Sequence, residues 1–314
     1  MTPPIIPTPY EVFYFIIPTI SLIGNSLIVY VTIRSKRLRS ACNIFIALIS
    51  VGDVLHMFAH YIMAISHDVT SDHLLQHDTC VYWQLLPLFG VFFSAMMLLN
   101  VAVDRLLSLT SIYIFLVNQH KLLYIGVQTG IATGFALFMV IWTFVERKTD
   151  QRVVCAITAP MEGHVYDAFS VSIMTINILI IVCYVLFLLL LKKRRINNDT
   201  MKNIYRSLII ISLTTIFGWF STMLIVAAGQ IMRIEFNRIY VNLLAGLFVN
   251  FACATTFFVY YGVSSEYRKV FDQYLHLKGL KTAIGIKMES STAYNGPSVA
   301  PTTAKSKQPV TLGE

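Results

Sequence analysis

The sequence is poor in charge. Only 13% of its 314 residues are Asp, Glu, Lys or Arg, against about 25% in an average soluble domain. Apolar residues make up 56%, and the mean hydropathy is +0.67. Such a chain must bury most of its surface in something other than itself, which excludes a soluble domain. Ten-residue segments of alternating polar and apolar residues are also missing, which excludes a lipid-facing barrel. There is no internal repeat and no tract of metal ligands. The opening Met1-Thr2-Pro3-Pro4 has no basic segment, and the first apolar run is too long for the core of a signal peptide. We therefore expect no cleaved leader, with the first span acting as its own insertion signal.

What is present is a series of seven long apolar runs: Val12 to Ile33, Ala41 to Ile65, Tyr82 to Leu109, Leu122 to Val145, Ala168 to Leu191, Ser207 to Ala228 and Ile239 to Val263. Each has the roughly 20 residues needed to cross hydrocarbon as a helix, and helices satisfy their own backbone groups in lipid. Of the 16 acids only Asp53 lies deep in a run, with Asp104 near the end of another. The reading is an all-α bundle of seven transmembrane helices. A short extracellular N-terminus is expected over 1–11, the bundle over 12–263, a membrane-surface helix over 264–278 and a disordered cytoplasmic tail over 279–314. The surface helix follows from Tyr267, Val270, Phe271, Tyr274 and Leu275 at i, i+3, i+4, i+7 and i+8 beside Arg268, Lys269 and Asp272. The tail follows from its Ser, Thr, Lys, Gly and Pro.

Orientation is set by the distribution of Lys and Arg. Nineteen fall after spans one, three and five and in the tail, six of them between Lys192 and Arg206. The opposite side carries five: Arg147, Lys148, Arg152, Arg233 and Arg238. The positive-inside rule puts the N-terminus outside and the tail in the cytoplasm, in a plasma-membrane protein. The net charge of +8 is thus a signal of topology, and a nucleic-acid partner loses its support.

Three features carry chemistry. A carboxylate at the depth of Asp53 must face polar partners inside the bundle, either as a structural group or as a cation or protonation site. Asp104-Arg105 closes the third span, where the pair is either interfacial or the acid restrains the arginine. Cys42, Cys183 and Cys253 lie in apolar helical sequence, whereas Cys80 and Cys155 are both extracellular, where a disulfide is permitted; it would tie the top of span three to the loop between spans four and five. His56 and His60 stand at i, i+4 in span two without a third ligand, so an intramembrane metal enzyme is not expected and the pair is read as pocket or interface residues.

In their order and spacing these residues resemble the rhodopsin-like G-protein-coupled receptors. Gly24-Asn25, Asn43 with Ala47-Leu48, Asp53, Cys80, Ser94 and Asp104-Arg105-Leu106 follow that family's sequence. Asn25 to Asp53 is 28 residues, Asp53 to Cys80 is 27 and Cys80 to Arg105 is 25. Tyr260, and Ser265 to Phe271, resemble the helix-seven tyrosine and the start of helix eight. The departures narrow the match. Trp142 stands too near the outer end of span four, spans five and six hold no proline, and Thr256-Phe257-Phe258-Val259-Tyr260 replaces Asn-Pro-x-x-Tyr. With Gly52-Asp53-Val54-Leu55-His56 and Asp104-Arg105-Leu106-Leu107-Ser108, the chain is most similar to the nematode serpentine chemoreceptors of class SX, over Ile16 to Phe271. The absence of lysine from span seven excludes a retinal-binding opsin.

The resemblance implies a receptor that binds an extracellular small molecule, with a short neuropeptide as alternative, and passes the signal to a cytoplasmic heterotrimeric G protein. Arrestin would meet the Ser/Thr-rich tail, and membrane lipid would surround the bundle. A channel or transporter is the more distant alternative, since it needs a polar pore or broken, repeated helices. Arg105 would line the G-protein cleft, with Asp104 beside it and Tyr184 and Tyr260 placed to meet it. Met201 and Asn203 would stand at the base of span six. Ligand-pocket positions are Gln84, Leu88, Val91, Phe169, Ser172, Trp219, Asn242 and Asn250. Trp219 fits ordinary core packing as well, and the polar ones fit interhelical hydrogen bonds. Asp53 and Ser94 would form part of a sodium site, the one bound ion expected. Amine receptors place an aspartate eighteen residues before the arginine, and here that residue is Pro87.

Overall fold

In the computed structural model, which describes residues 5–193, 217–228 and 238–275, the apolar runs fold as helices. In chain order these are α1 (Thr8–Arg34), α2 (Ala41–Val69), α3 (His77–Leu107), α4 (Ser111–Gln119), α5 (Lys121–Val145), α6 (Gly163–Lys193), α7 (Phe217–Ala228), α8 (Arg238–Val263) and α9 (Ser265–Tyr274). Among the described residues, six are long and apolar enough to cross a membrane, and α7 is the described part of the sixth expected span. The result is a seven-helix membrane bundle followed by a short amphipathic helix. Met201, Asn203, most of the basic segment from Lys192 to Arg206 and the tail lie outside the described residues.

Local chemistry sets the ends. Ser40 accepts a hydrogen bond from the Asn43 amide at 3.3 Å to start α2. Thr110 does the same for α4 through the Tyr113 amide, also 3.3 Å, and Ser264 for α9 through the Tyr267 amide, 3.4 Å. α1 begins four residues before Val12, because Pro9 in its first turn lacks only an amide that would have had no helical partner.

Among the six described spans α3 is the most buried and α5 the most lipid-exposed, which places α3 at the centre of the bundle. It lies directly on α2. A Cβ added to Gly90 would sit 2.5 Å from the Gly52 carbonyl oxygen and 2.7 Å from the His56 nitrogen, so the two backbones meet where only glycine fits. α1 reaches α8 through the Asn25 amide, which donates to the Cys253 carbonyl at 3.2 Å. α9 buries Tyr267, Val270 and Phe271, Phe271 lying 4.7 Å from the Phe257 ring.

On the side read as extracellular, the connection between α5 and α6 folds back over the helices. Arg152–Val153 pairs antiparallel with Leu75–Gln76, Leu75 opposite Val153 and Gln76 opposite Arg152. Beside this short pairing Cys80 and Cys155 form the disulfide, with Cα atoms 5.5 Å apart. From sequence, both paired segments and the stretch now seen as α4 read as plain loops.

Candidate functional site

The end of α3 read as cytoplasmic carries a heavily bonded carboxylate. Asp104 is 0% exposed. Arg105 bonds it through both Nη2 and Nε, the latter at 3.0 Å from Oδ2. The Tyr124 hydroxyl, on the first turn of α5, donates to Oδ1 at 3.0 Å. Tyr113, on α4, is a further hydrogen-bonding neighbour, and burial together with the Asp104 carboxylate pushes its phenol above the ordinary tyrosine value. Arg105 keeps 11% of its side chain exposed, so the guanidinium is held at the edge of the protein while its acid is enclosed. Tyr184 is buried against Leu98, Leu99 and Ala102 of α3, and the Tyr260 ring lies 4.8 Å from that of Tyr267.

Asp53 is buried between α2 and α3 near Ser94, whose hydroxyl donates to the Val91 carbonyl of its own helix at 3.3 Å. Two other buried oxygens on the inner faces, Asn25 Oδ1 and Ser50 Oγ, have no partner among the described residues. Thr256, which stands in place of the asparagine of the Asn-Pro-x-x-Tyr pattern, donates its hydroxyl back to the Ala252 carbonyl of its own helix at 3.1 Å. The donors at Asp53 and Ser94 are hard oxygens, which suit a hard cation such as sodium.

Beneath the disulfide-linked cover lies a cavity enclosing about 740 Å³ of space free of protein atoms, including the part continuous with solvent. Of the pocket positions expected from sequence, Val91, Phe169, Trp219, Asn242 and Asn250 line it. Three others do not. Gln84 is buried beside it and donates to the carbonyls of Cys155 at 3.0 Å and Ala59 at 3.3 Å, fastening the cover to α3 and α2. Leu88 is core. Ser172 is replaced in the lining by Ser170, because two residues rotate a helix by about 200°.

The wall also holds Tyr14 and Tyr166, which were not expected there from sequence, together with His56 and His60, which were read as pocket or interface residues. His60 bonds Asn250 Oδ1 at 2.8 Å and stacks on Tyr14, the ring centroids 4.9 Å apart. His56 faces Trp219 at 6.3 Å. Tyr166 donates to Asn242 Oδ1 at 3.0 Å, and Asn242 in turn donates to Thr158 of the cover at 3.0 Å. Among the described residues, no Asp, Glu, Lys or Arg lines the cavity. The i, i+4 spacing of His56 and His60 had put them on one face of α2 as pocket or interface residues, and the structure places both in the cavity wall.

A covered cavity at one end of a seven-helix bundle and a tied acid-arginine pair at the other define the class of seven-transmembrane receptors. Residues 18–275 match the family described as serpentine type 7TM GPCR chemoreceptor Srsx, and the chain belongs to that family. It is a multi-pass membrane protein and a G-protein-coupled receptor. Shorter stretches are similar to the somatostatin receptor type 5 of Rattus norvegicus, 30% identical over 97 residues, and to the C-X-C chemokine receptor type 1 of Mus musculus, 28% identical over 98 residues. Each match covers 31% of this chain and 27% of the relative's length.

Proposed function

We propose that this receptor is chemosensory: it binds an uncharged or weakly polar small molecule from the extracellular side and activates a cytoplasmic heterotrimeric G protein. The observation that carries the reading is the cavity itself, walled by α1, α2, α3, α6, α7 and α8, with no charged side chain in its described lining and a covalently fixed cover above it. A buried ammonium would find no counter-ion among those residues, and Pro87 occupies the position of the amine receptors' aspartate, so a biogenic amine is disfavoured. The orientation that goes with this reading has the N-terminus outside and the C-terminus inside, supported by the basic asymmetry.

Binding would favour a state in which the inner part of the sixth span moves away from α3 and opens a cleft beside Arg105, with Tyr184 and Tyr260 turning toward the arginine. The Gα chain ends in a free carboxylate, to which a basic cleft is complementary. The Ser/Thr-rich tail is the segment we assign to arrestin, and the amphipathic α9 to the inner lipid surface. A sodium ion at Asp53 and Ser94 belongs to the same reading and would favour the inactive state. A short peptide is the second reading, since the two curated relatives are by name receptors for somatostatin and a C-X-C chemokine.

The test is a reporter assay in cells expressing a promiscuous Gα, challenged with neutral volatile and weakly polar compounds, short peptides and the common biogenic amines. Activation by members of the neutral set, lost when Trp219 and Val91 are replaced by Ala, supports the proposal. Submicromolar responses to serotonin, dopamine, octopamine or tyramine overturn it.

A further inference from the structure

At the outer rim of the bundle, away from the ligand cavity, Glu11 of α1 and His67 and Asp68 of α2 bring one imidazole nitrogen and two carboxylates together. His67 Nδ1 lies 3.3 Å from Glu11 Oε1 and 3.4 Å from Asp68 Oδ1, and all three ligand atoms lie within 4.8 Å of one another. We propose that these three residues form an extracellular Zn²⁺ site.

The distances are the first reason. Charge-assisted N–H···O bonds run about 2.7–2.9 Å, so both contacts are long for an ion pair that had simply closed. A tetrahedral zinc with ligands at about 2.1 Å separates its donors by about 3.4 Å along each edge. The two contacts to Nδ1 already have that separation.

The second reason is charge. Two other acids on this face are paired with strong bases, Asp72 with Arg152 and Glu162 with Lys148. Glu11 and Asp68, by contrast, share only the imidazole as an ion-pair partner among the described residues. Asp68 also sits in the last turn of α2, where the helix dipole disfavours an anion and favours a cation. A divalent ion between the carboxylates relieves both. The expected extracellular surface carries nine acids and five bases, which raises the local concentration of cations.

The third reason is preparation of the ligands. The His67 side chain is 2% exposed, while Glu11 and Asp68 keep 35% and 77%. A fixed imidazole thus stands under two reachable carboxylates. The His73 ring stacks on His67, centroids 4.2 Å apart, and its Nδ1 bonds the His67 carbonyl at 2.7 Å, so the ring plane is set. Imidazole with two carboxylates suits zinc; calcium asks for six to eight oxygens. The Ile6 amide approaches His67 Nε2 at 3.5 Å. Metal on Nδ1 places a proton on Nε2, so Ile6 turns its amide aside when zinc binds. Glu11 lies one turn above Tyr14 and His67 one turn above Met63. The ion therefore staples together two helices whose next turns line the cavity.

The experiment uses the purified full-length receptor and needs neither agonist nor G protein, so it succeeds or fails independently of the signalling proposal. Zn²⁺ uptake is measured by competition with a fluorescent zinc chelator, and thermal unfolding is followed with Zn²⁺ or Ca²⁺ added. We expect one zinc per chain, a raised unfolding midpoint with Zn²⁺ and not with Ca²⁺, and loss of zinc affinity by about tenfold or more in Glu11→Gln/Asp68→Asn. His67→Asn should behave the same way, and the exposed double variant guards against a folding defect in the buried one. No zinc uptake by the parent, or equal affinity in parent and double variant, overturns the proposal.

Discussion

Asp104 and Arg105 are adjacent in sequence, yet the structure treats them differently: the acid is fully enclosed and the base, though mostly buried, keeps a small exposed fraction. A buried carboxylate is costly unless its lone pairs are filled, and here Arg105, Tyr124 and Tyr113 fill them. The pair itself was legible because two charged residues end an apolar run. Tyr124 and Tyr113 were not, since nothing in their own surroundings says which acid they will meet. Asp53 was legible for the same reason as Asp104, as a charge where lipid tolerates almost none. Its sodium role is tested by agonist binding over a range of sodium concentrations. Sodium should weaken agonist affinity in the parent and leave Asp53→Asn unaffected; an equal response in both would exclude the site.

At the scale of elements, the spans could be read because lipid imposes one rule on every residue in them. The segments outside lipid obey no such rule. α4 was expected as loop, because nine residues with mixed polarity give no strong period. Its start is fixed by the Thr110 cap, and its Tyr113 reaches back to Asp104. The pairing of Leu75–Gln76 with Arg152–Val153 joins segments more than seventy residues apart, which no local pattern reveals. The same difficulty put Ser172 in the expected pocket in place of Ser170, a matter of helix rotation set by packing.

The cover offers a pH test. Partial burial acts to raise the Glu162 carboxyl, but the Lys148 ammonium, 2.7 Å away, outweighs it and holds the group below its ordinary value. A carboxyl whose folded pKa is depressed contributes stability above its unfolded value, about 4.3, and loses it as pH falls through the folded value. Glu162→Gln should therefore cost about 0.5 kcal/mol at pH 7 and almost nothing near pH 3. Thermal unfolding at the two pH values checks this; an equal cost at both would remove the ion pair from the account.

For the whole molecule, the nineteen-to-five division of basic residues and the disulfide between Cys80 and Cys155 point to the same orientation, one through insertion and the other through the oxidising compartment. An epitope tag at the N-terminus should stain on intact cells and one at the C-terminus only after permeabilisation. The reverse pattern would invert the assignment of cavity and cleft. Under the proposed function the two ends of the bundle would have separate tasks, ligand capture under the cover and coupling at Arg105, joined by α3, which runs between them.

The central claim is that Asp104 restrains an arginine through which the receptor couples. It is tested most directly by nucleotide exchange on purified G protein, with receptor in lipid discs and no ligand needed. Asp104→Asn should raise basal exchange several-fold, because it removes the charge that ties Arg105 and shifts the population toward the open state. Adding Arg105→Ala to that variant should return exchange to the rate of the G protein alone, with the receptor still folded and at the cell surface. Full exchange by the double variant would contradict the account.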